Sequence, residues 1–250
     1  MILIGDMGNT QSKFACLDSK TKKIINLKNF NTLNLEKNKK FLKFINRKNI
    51  DFTFISSVVP KVFFKIKILL SKKNIKCHEF LDKKFTNPIS VNIKKPKQVG
   101  SDRLANVLAA YKLYKTNCVV IDFGTATTFD ILTNKGVYEG GLITPGIGIS
   151  LSTLNSLTAL LPLIKLKKTN QIIGKDTVSA INSGVYWGYV SLINGILEKI
   201  ISSTKKKYKI VLTGGLSYIF LNSLKYKSII NKNITLLGLV EIIKHNKKLF

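Results

Sequence analysis

Three short segments of the chain combine residue types that can do chemistry. Asp6-Met-Gly-Asn-Thr10 with Lys13, and Asp122-Phe-Gly-Thr-Ala-Thr-Thr128, each follow an apolar run with an aspartate and a glycine turn rich in hydroxyl groups. A carboxylate at a strand end can hold a metal ion, and a glycine lets backbone amides approach a phosphate closely. Two such loops predict a nucleotide held from two sides. The third segment, Gly100-Ser-Asp-Arg103, supplies the separate acid and arginine that a phosphoryl acceptor site would need.

Each segment also has a simpler interpretation. Asp, Gly and Asn favour turns, so the first loop alone could be an ordinary hairpin turn, and threonine is common in strands. The dipole at a helix start favours an acid such as Asp102, whereas it does not favour Arg103. The recurrence of the same chemistry after a second apolar strand favours the functional interpretation of the two loops.

The elements that must position these segments follow from the spacing of apolar residues and from Pro and Gly. We predict strands over residues 2–5, 13–17, 23–28, 52–59, 75–80, 118–121, 128–132, 137–144 and 208–212. We predict helices over residues 34–47, 60–71, 101–115, 148–160, 176–203 and 237–247, with Ser101 as the N-cap of the third. The strand, Asp-x-Gly turn and returning strand begin near residue 1 and again near residue 118. This weak internal symmetry predicts two similar α/β domains, residues 1–115 and 116–250.

The net charge of +28 suggests nucleic acid as a partner, but the kind and placement of the basic residues do not. Only Arg47 and Arg103 of the 41 basic residues are arginine, and the lysines are spread over the whole length. A dedicated patch would be clustered and would contain arginine. We therefore expect solvated lysine faces and no specific nucleic-acid partner. Arg103, a rare arginine beside an aspartate, indicates a need for a planar bidentate donor.

The remaining composition points to a globular cytoplasmic protein. Apolar residues make up 45% of the chain, and no uncharged apolar run is long enough to cross a membrane. The three cysteines, Cys16, Cys77 and Cys118, are scattered without metal-ligand spacing. We expect reduced, mostly buried thiols, as in a cytoplasmic compartment.

Seven short motifs occur in order along nearly the whole chain. They are Asp6-x-Gly-Asn-Thr-x-x-Lys13, Gly100-x-Asp-Arg103, Asp122-x-Gly-Thr-Ala-Thr127, Gly140-Gly-x-Ile-x-Pro-Gly146, Ser183-Gly-x-Tyr-Trp-Gly188, Leu212-Thr-Gly-Gly-Leu216 and Leu236-Leu-Gly-Leu239. In this set the chain resembles the type III pantothenate kinases, bacterial enzymes of the actin, sugar-kinase and heat-shock ATPase superfamily. The resemblance implies two ribonuclease-H-like domains with a nucleotide cleft between them. It also implies transfer of the γ-phosphate of ATP to pantothenate, the first step of coenzyme A biosynthesis.

The resemblance also implies a role for individual residues. The first phosphate loop, which binds ATP, would consist of Asp6, Met7, Gly8, Asn9, Thr10, Gln11, Ser12 and Lys13, with Thr125 as a further ATP contact. Asp102 would accept the proton of the substrate, and Asp122 would bind a monovalent cation, K⁺ or NH₄⁺. Pantothenate would contact Ile93, Gly100, Ser101, Asp102, Arg103 and Thr177. The implied cofactor is ATP with Mg²⁺, and the implied assembly is a homodimer.

One position departs from the family pattern and keeps alternatives open. The family usually has a tyrosine seven residues before the glycine of Gly100-x-Asp-Arg103, where this chain has Ile93. The loss of the ring and hydroxyl predicts weaker pantothenate binding. Two other functions stay open on the residues alone: a related kinase for another small hydroxy acid, and a non-enzymatic nucleotide- or nucleic-acid-binding regulator on the same fold.

Overall fold

The computed structural model describes residues 1–46 and 50–249, which divide into two compact units. The first consists of the described residues of Met1–Leu113 and Asn233–Phe250, and the second of Tyr114–Lys232. The strands are β1 (Ile2–Met7), β2 (Gln11–Leu17), β3 (Ile24–Asn31), β4 (Phe52–Ser57), β5 (Lys76–Glu79), β6 (Ser90–Val91), β7 (Cys118–Phe123), β8 (Ala126–Leu132), β9 (Val137–Pro145), β10 (Lys209–Gly214) and β11 (Ser228–Ile230). The helices are α1 (Lys39–Ile45), α2 (Pro60–Ser71), α3 (Ser101–Tyr114), α4 (Ile147–Ser156), α5 (Thr177–Thr204), α6 (Ser217–Phe220) and α7 (Ile234–His245).

The two units repeat one mixed-sheet topology. The strands of the first unit follow the order β3-β2-β1-β4-β5, and those of the second follow β9-β8-β7-β10-β11. In each unit, the first three strands along the chain form an antiparallel meander, β1-β2-β3 or β7-β8-β9. Two further strands then add in parallel beside β1 or β7. The predicted internal symmetry and the α/β fold class are therefore confirmed. Parallel strands end at one edge of a sheet, where α/β proteins place their ligands.

Apolar alternation on the strands builds a core in each unit. In the first, Phe14 and Phe30 of the hairpin contact Phe41 of α1, with ring centroids 4.9 and 5.3 Å away. Such aromatic contacts add to the free energy gained by removing the rings from water. In the second, Ile121 of β7 and the long helix α5 share one buried cluster. These cores fix the strands whose ends carry the polar residues.

The predicted elements differ from the structure mainly at their ends. The predicted helix 34–47 is a 3-10 turn, Leu35–Lys37, followed by α1, and its last predicted residue lies outside the described ranges. Asn38 separates the two because its side chain accepts the amide protons of Lys40 and Phe41, as an N-cap does. The short elements β6, α6 and β11 were not predicted. They have two to four residues, too few to show a period.

The last helix, α7, belongs to the first unit. It packs against β1 and β4, and its Leu236, Leu239 and Ile243 are buried. The structural division thus places α7 with residues 1–113, whereas the sequence-based boundary kept residues 116–250 together. Within the described part of the chain, no helix is long and apolar enough to cross a membrane.

The cysteines are free thiols. Cys16 and Cys118 are buried and Cys77 is partly buried. Burial raises the pKa of Cys77 to about 12 and that of Cys118 to about 11, so both stay protonated at neutral pH. They act as small apolar side chains rather than nucleophiles.

Candidate functional site

The first candidate loop is the turn that joins β1 to β2. Asp6 is opposite Lys13 in β2 and opposite Ser56 in β4, so it stands at the carboxyl edge of the sheet. The amide of Gly8 donates to the carbonyl of Gln11 over 3.1 Å, which closes the turn. Asn9, Thr10 and Gln11 at its tip are exposed, while Met7 and Ser12 are buried on either side. The loop therefore presents polar groups outward from a fixed backbone.

A buried hydroxyl pair holds this loop from below. Thr32 Oγ1 donates to the carbonyl of Gly8 over 2.7 Å and lies 2.8 Å from Ser12 Oγ. The amide of Thr32 also donates to the carbonyl of Thr10 over 3.0 Å. Thr32 is thus a supporting residue that motif reasoning missed. A threonine just after a strand gave no signal in the sequence.

The second candidate segment, Gly100 to Arg103, meets the same edge of the first sheet. Ser101 Oγ accepts a hydrogen bond from Ser56 Oγ over 2.8 Å and donates to the carbonyl of Ser57 over 3.2 Å. Ser56 is the register partner of Asp6. The structure therefore brings Asp6 and the start of α3 together at the ends of β1 and β4. The prediction that Ser101 caps α3 is wrong, because it is the first helical residue and its hydroxyl is used on β4.

Asp102 occupies an environment suited to a base. Burial raises the pKa of its carboxyl group above the usual range, and the amide and positive charge of Arg103 offset this only in part. The carboxylate accepts the Arg103 amide over 2.8 Å. A carboxylate with a raised pKa takes a proton more readily than one in water, so this group fits a general base.

Five of the six predicted pantothenate contacts lie in the first unit, and Thr177 lies in the second. Ile93 is partly exposed on the connection that leads from β6 to α3, in the same unit as Gly100 to Arg103. Thr177 belongs to the second unit, where it is the exposed first residue of α5. Asp176 caps that helix by accepting the amide proton of Ser179 over 2.9 Å. The two units thus carry different parts of the predicted set.

The second unit has its own candidate edge at the end of β7. Asp122 is opposite Thr128 in β8 and Thr213 in β10. The amide of Gly124 donates to the carbonyl of Ala126 over 3.1 Å, which turns the chain tightly and leaves Thr125 exposed. Gly214 has a φ of +86°, and a Cβ there would lie 2.5 Å from the carbonyl oxygen of Phe123, so only glycine fits.

Two further residues support this edge: Gly146, which ends one of the seven motifs, and Asp130, which motif reasoning missed. Gly146, just before α4, packs so closely that a Cβ would fall on the carbonyl oxygen of Thr125. Asp130 in β8 is fully buried and accepts hydrogen bonds from Tyr138 and Thr128, over 2.8 and 3.3 Å. Because Thr128 is the register partner of Asp122, this buried carboxylate supports the residue beside the predicted cation ligand.

Each of the two edges carries side chains that suit phosphate or a cation. Asp6 and Asp122 offer carboxylate oxygens at strand ends, and Lys13 adds positive charge near the first loop. Among residues 1–46 and 50–249, no three or more His, Cys, Asp or Glu side chains are grouped so that they could hold a metal ion. Proteins usually bind Mg²⁺ through one or two carboxylates together with substrate phosphates, and Asp6 is one carboxylate of that kind.

Comparison with known proteins agrees with these features. Residues 2–199 match the family model of the type III pantothenate kinases. The chain is similar to the type III pantothenate kinase of Pelagibacter ubique, with 44% identity over 245 residues, which cover 96% of this chain and 97% of the relative.

Two solved structures show the same fold. One is a Campylobacter jejuni protein assigned to the Baf family of transcriptional activators, with a TM-score of 0.63, 23% identity and coverage of 98% and 99%. The other is a Sinorhizobium meliloti protein assigned as a 2-dehydro-3-deoxygalactonokinase, with a TM-score of 0.62, 10% identity and coverage of 98% and 99%. At these identities the two structures support the fold only. The family model and the P. ubique relative establish the family. This chain belongs to the type III pantothenate kinase family.

Proposed function

We propose that the pantothenate kinase activity of this family member depends on Asp102 as the proton acceptor, with Asp6 to Lys13 and Thr125 binding ATP. The enzyme phosphorylates pantothenate with ATP at the first step of coenzyme A biosynthesis. The observation that supports the proposal is the hydrogen bond between Ser101 and Ser56, because Ser56 is the register partner of Asp6 and Ser101 precedes Asp102.

The transfer then needs little covalent chemistry from the protein. The pantothenate hydroxyl oxygen attacks the γ-phosphorus as the bond to the β-phosphate oxygen breaks, and ADP leaves. Asp102 takes the hydroxyl proton, and its raised pKa favours that transfer. Arg103 contributes a positive charge for the carboxylate of pantothenate or for developing phosphate charge. A divalent cation bound with ATP would neutralise phosphate charge, and we propose Asp6 as the side chain that supports it.

We assign the monovalent cation site to Asp122. Its carboxylate stands at the end of β7 beside the backbone turn of Gly124 and Thr125. Oxygen atoms of carboxylates and carbonyls can coordinate K⁺ and can accept hydrogen bonds from NH₄⁺. K⁺ or NH₄⁺ bound here would offset the negative charge of phosphate. An Asp122→Asn variant should lose stimulation by K⁺ relative to Na⁺ while the magnesium requirement stays.

We also propose that pantothenate contacts Ile93, Gly100 to Arg103 and Thr177. Ile93 offers an apolar face without a hydroxyl, where the family usually has tyrosine. An Ile93→Tyr variant should therefore bind pantothenate more tightly and lower its KM. An unchanged or higher KM would remove Ile93 from the set.

A homodimer is the proposed assembly. Ten of the exposed large apolar side chains fall within one stretch of the second unit: Leu142, Ile143, Ile149, Leu154, Leu157, Leu160, Leu163, Ile172, Ile173 and Val178. Apolar side chains exposed at this density mark interaction surfaces. Sedimentation velocity should give a dimer, and Leu160→Glu should weaken it. A wild-type monomer at micromolar concentration would contradict this assembly.

The free thiols favour a cytoplasmic location.

Release of ADP in a coupled assay tests the reaction and the cation together. ATP, Mg²⁺ and pantothenate should give pantothenate-dependent turnover that is faster in K⁺ than in Na⁺, with phosphopantothenate identified by mass. Folded protein that binds ATP without turnover in either salt would move the substrate assignment to another hydroxy acid.

A further inference from the structure

The last helix, α7, forms side-chain hydrogen bonds with the chain at two points, and most of the proposed pantothenate contacts lie between these points in the sequence. Asn246, at the end of α7, bonds Thr86, and Thr235, in its first turn, bonds Asn106. Ile93 and Gly100 to Arg103 all lie between Thr86 and Asn106 in the sequence. The four hydrogen-bonded residues all belong to the first unit.

The contact at Thr86 uses every polar atom of the Asn246 side chain. Its Oδ1 accepts from the amide and the hydroxyl of Thr86, over 3.0 and 3.1 Å. Its Nδ2 donates to the carbonyls of Thr86 and Ile242, both over 3.0 Å. Asn246 is 7% exposed, so these bonds are shielded from water. The backbone of Thr86 is thereby fixed to the end of α7.

The contact at α3 is equally close. Thr235 Oγ1 donates to Asn106 Oδ1 over 2.8 Å, and both residues are buried. One turn further along α7, a Cβ at Gly238 would fall on the carbonyl of Ala105, so the helices touch backbone to backbone. The helix that begins with Ser101 and Asp102 is therefore held in both position and rotation by α7.

Between these two points the chain has little regular structure of its own. From Thr86 to Gly100 it contains the two-residue strand β6 and one 3-10 turn, Pro96–Gln98. A connection of this kind opens locally at low free energy unless its ends are anchored. β6 pairs within a sheet, and Ser101 is bonded to β4, so each supports part of the segment. The two contacts with α7 add an anchor at each end.

We propose that α7 is a positioning element for the pantothenate site, acting through Asn246 and Thr235. Neither residue touches substrate; each holds one end of the segment that does. This inference rests on the proposed pantothenate contacts. It goes beyond the proposed function, which gives α7 no part in the reaction.

Steady-state kinetics of Asn246→Ala test the proposal. The KM for pantothenate should rise about 10-fold or more, because small displacements of a binding segment are costly, while the KM for ATP stays within about twofold. Thr235→Val, which keeps the side-chain shape, should also raise the KM for pantothenate and leave the KM for ATP within about twofold. Thr86→Val removes only the hydroxyl that donates to Asn246. It replaces Asn246→Ala in this test if that variant does not fold.

Asn194→Ala is the matched control. Asn194 is 8% exposed, and its Oδ1 accepts the amide proton of Lys225 over 3.0 Å in the second unit. It should lower the melting temperature as Asn246→Ala does without separating the two KM values. Equal changes in both KM values, or kinetics like those of the control, would overturn the positioning role.

Hydrogen exchange separates this proposal from the proposed function. Amides of residues 86–106 should exchange faster in Asn246→Ala than in wild type, and not in Asn194→Ala. If wild-type protein failed to phosphorylate pantothenate but showed this exchange pattern, the substrate assignment would fall and the anchoring would stand. If the wild-type enzyme is active but the amides of residues 86–106 exchange at the same rate in Asn246→Ala, Asn246 does not anchor this segment.

Discussion

Replacing Gly100 by alanine should damage catalysis while leaving the fold intact. A Cβ at this position would lie 2.5 Å from Asp102 Oδ1, whereas ordinary contact begins at 3.4 Å, so the carboxylate must move by about 0.9 Å. The displaced atom ends a side chain, and the backbone of Gly100 is not in the left-handed region, so the change costs little stability. A misplacement of about 1 Å at a reacting group can lower the rate about 100-fold.

The assay compares kcat, both KM values and the melting temperature of Gly100→Ala with wild type. We expect kcat to fall about 100-fold, the KM for ATP to stay within about twofold and the melting temperature to change little. Gly195→Ala in α5 is the control, because nothing lies within 4 Å of its added Cβ. It should leave kcat unchanged. A kcat of Gly100→Ala within about threefold of wild type would refute the placement of the base.

Two further predictions concern the second unit and pH. Gly146→Ala should raise the KM for ATP and destabilise the fold by about 1–3 kcal/mol, since its Cβ falls on the backbone of Thr125, whereas Gly148→Ala, with nothing within 4 Å, should do neither. ATP titrations and thermal melts check this pair, and equal KM values would contradict it. Burial raises the pKa of Asp102 above 3.8, so its ionised form destabilises the folded state at neutral pH. Asp102→Asn should therefore melt higher than wild type at pH 7, with the difference vanishing below pH 3.8, and a lower melting temperature at pH 7 would contradict the raised pKa.

The sequence predicted the strands and loops of the site because these follow strong local rules. The apolar run ending at Asp6 and the one ending at Asp122 are β1 and β7, with a turn after each. The helix predicted over residues 60–71 is α2, because proline suits a first helical turn. Local propensity and tertiary packing agree at these positions.

The supports of the site could not be predicted, since they join residues far apart in the chain. Ser101 has the sequence of an N-cap, yet a tertiary bond to Ser56 takes its hydroxyl. Thr32 below the first loop and Asn246 at Thr86 carry no local pattern. Such contacts depend on how distant elements pack, which periodicity does not contain.

Turnover by Asp102→Asn tests the central claim most directly. The substitution keeps the size of the side chain and removes its ability to take a proton, so pantothenate-dependent turnover should fall by about 100-fold or more, while ATP binding is retained and the melting temperature at pH 7 does not fall. Near-wild-type turnover by a folded Asp102→Asn enzyme would contradict the assignment of Asp102 as the proton acceptor.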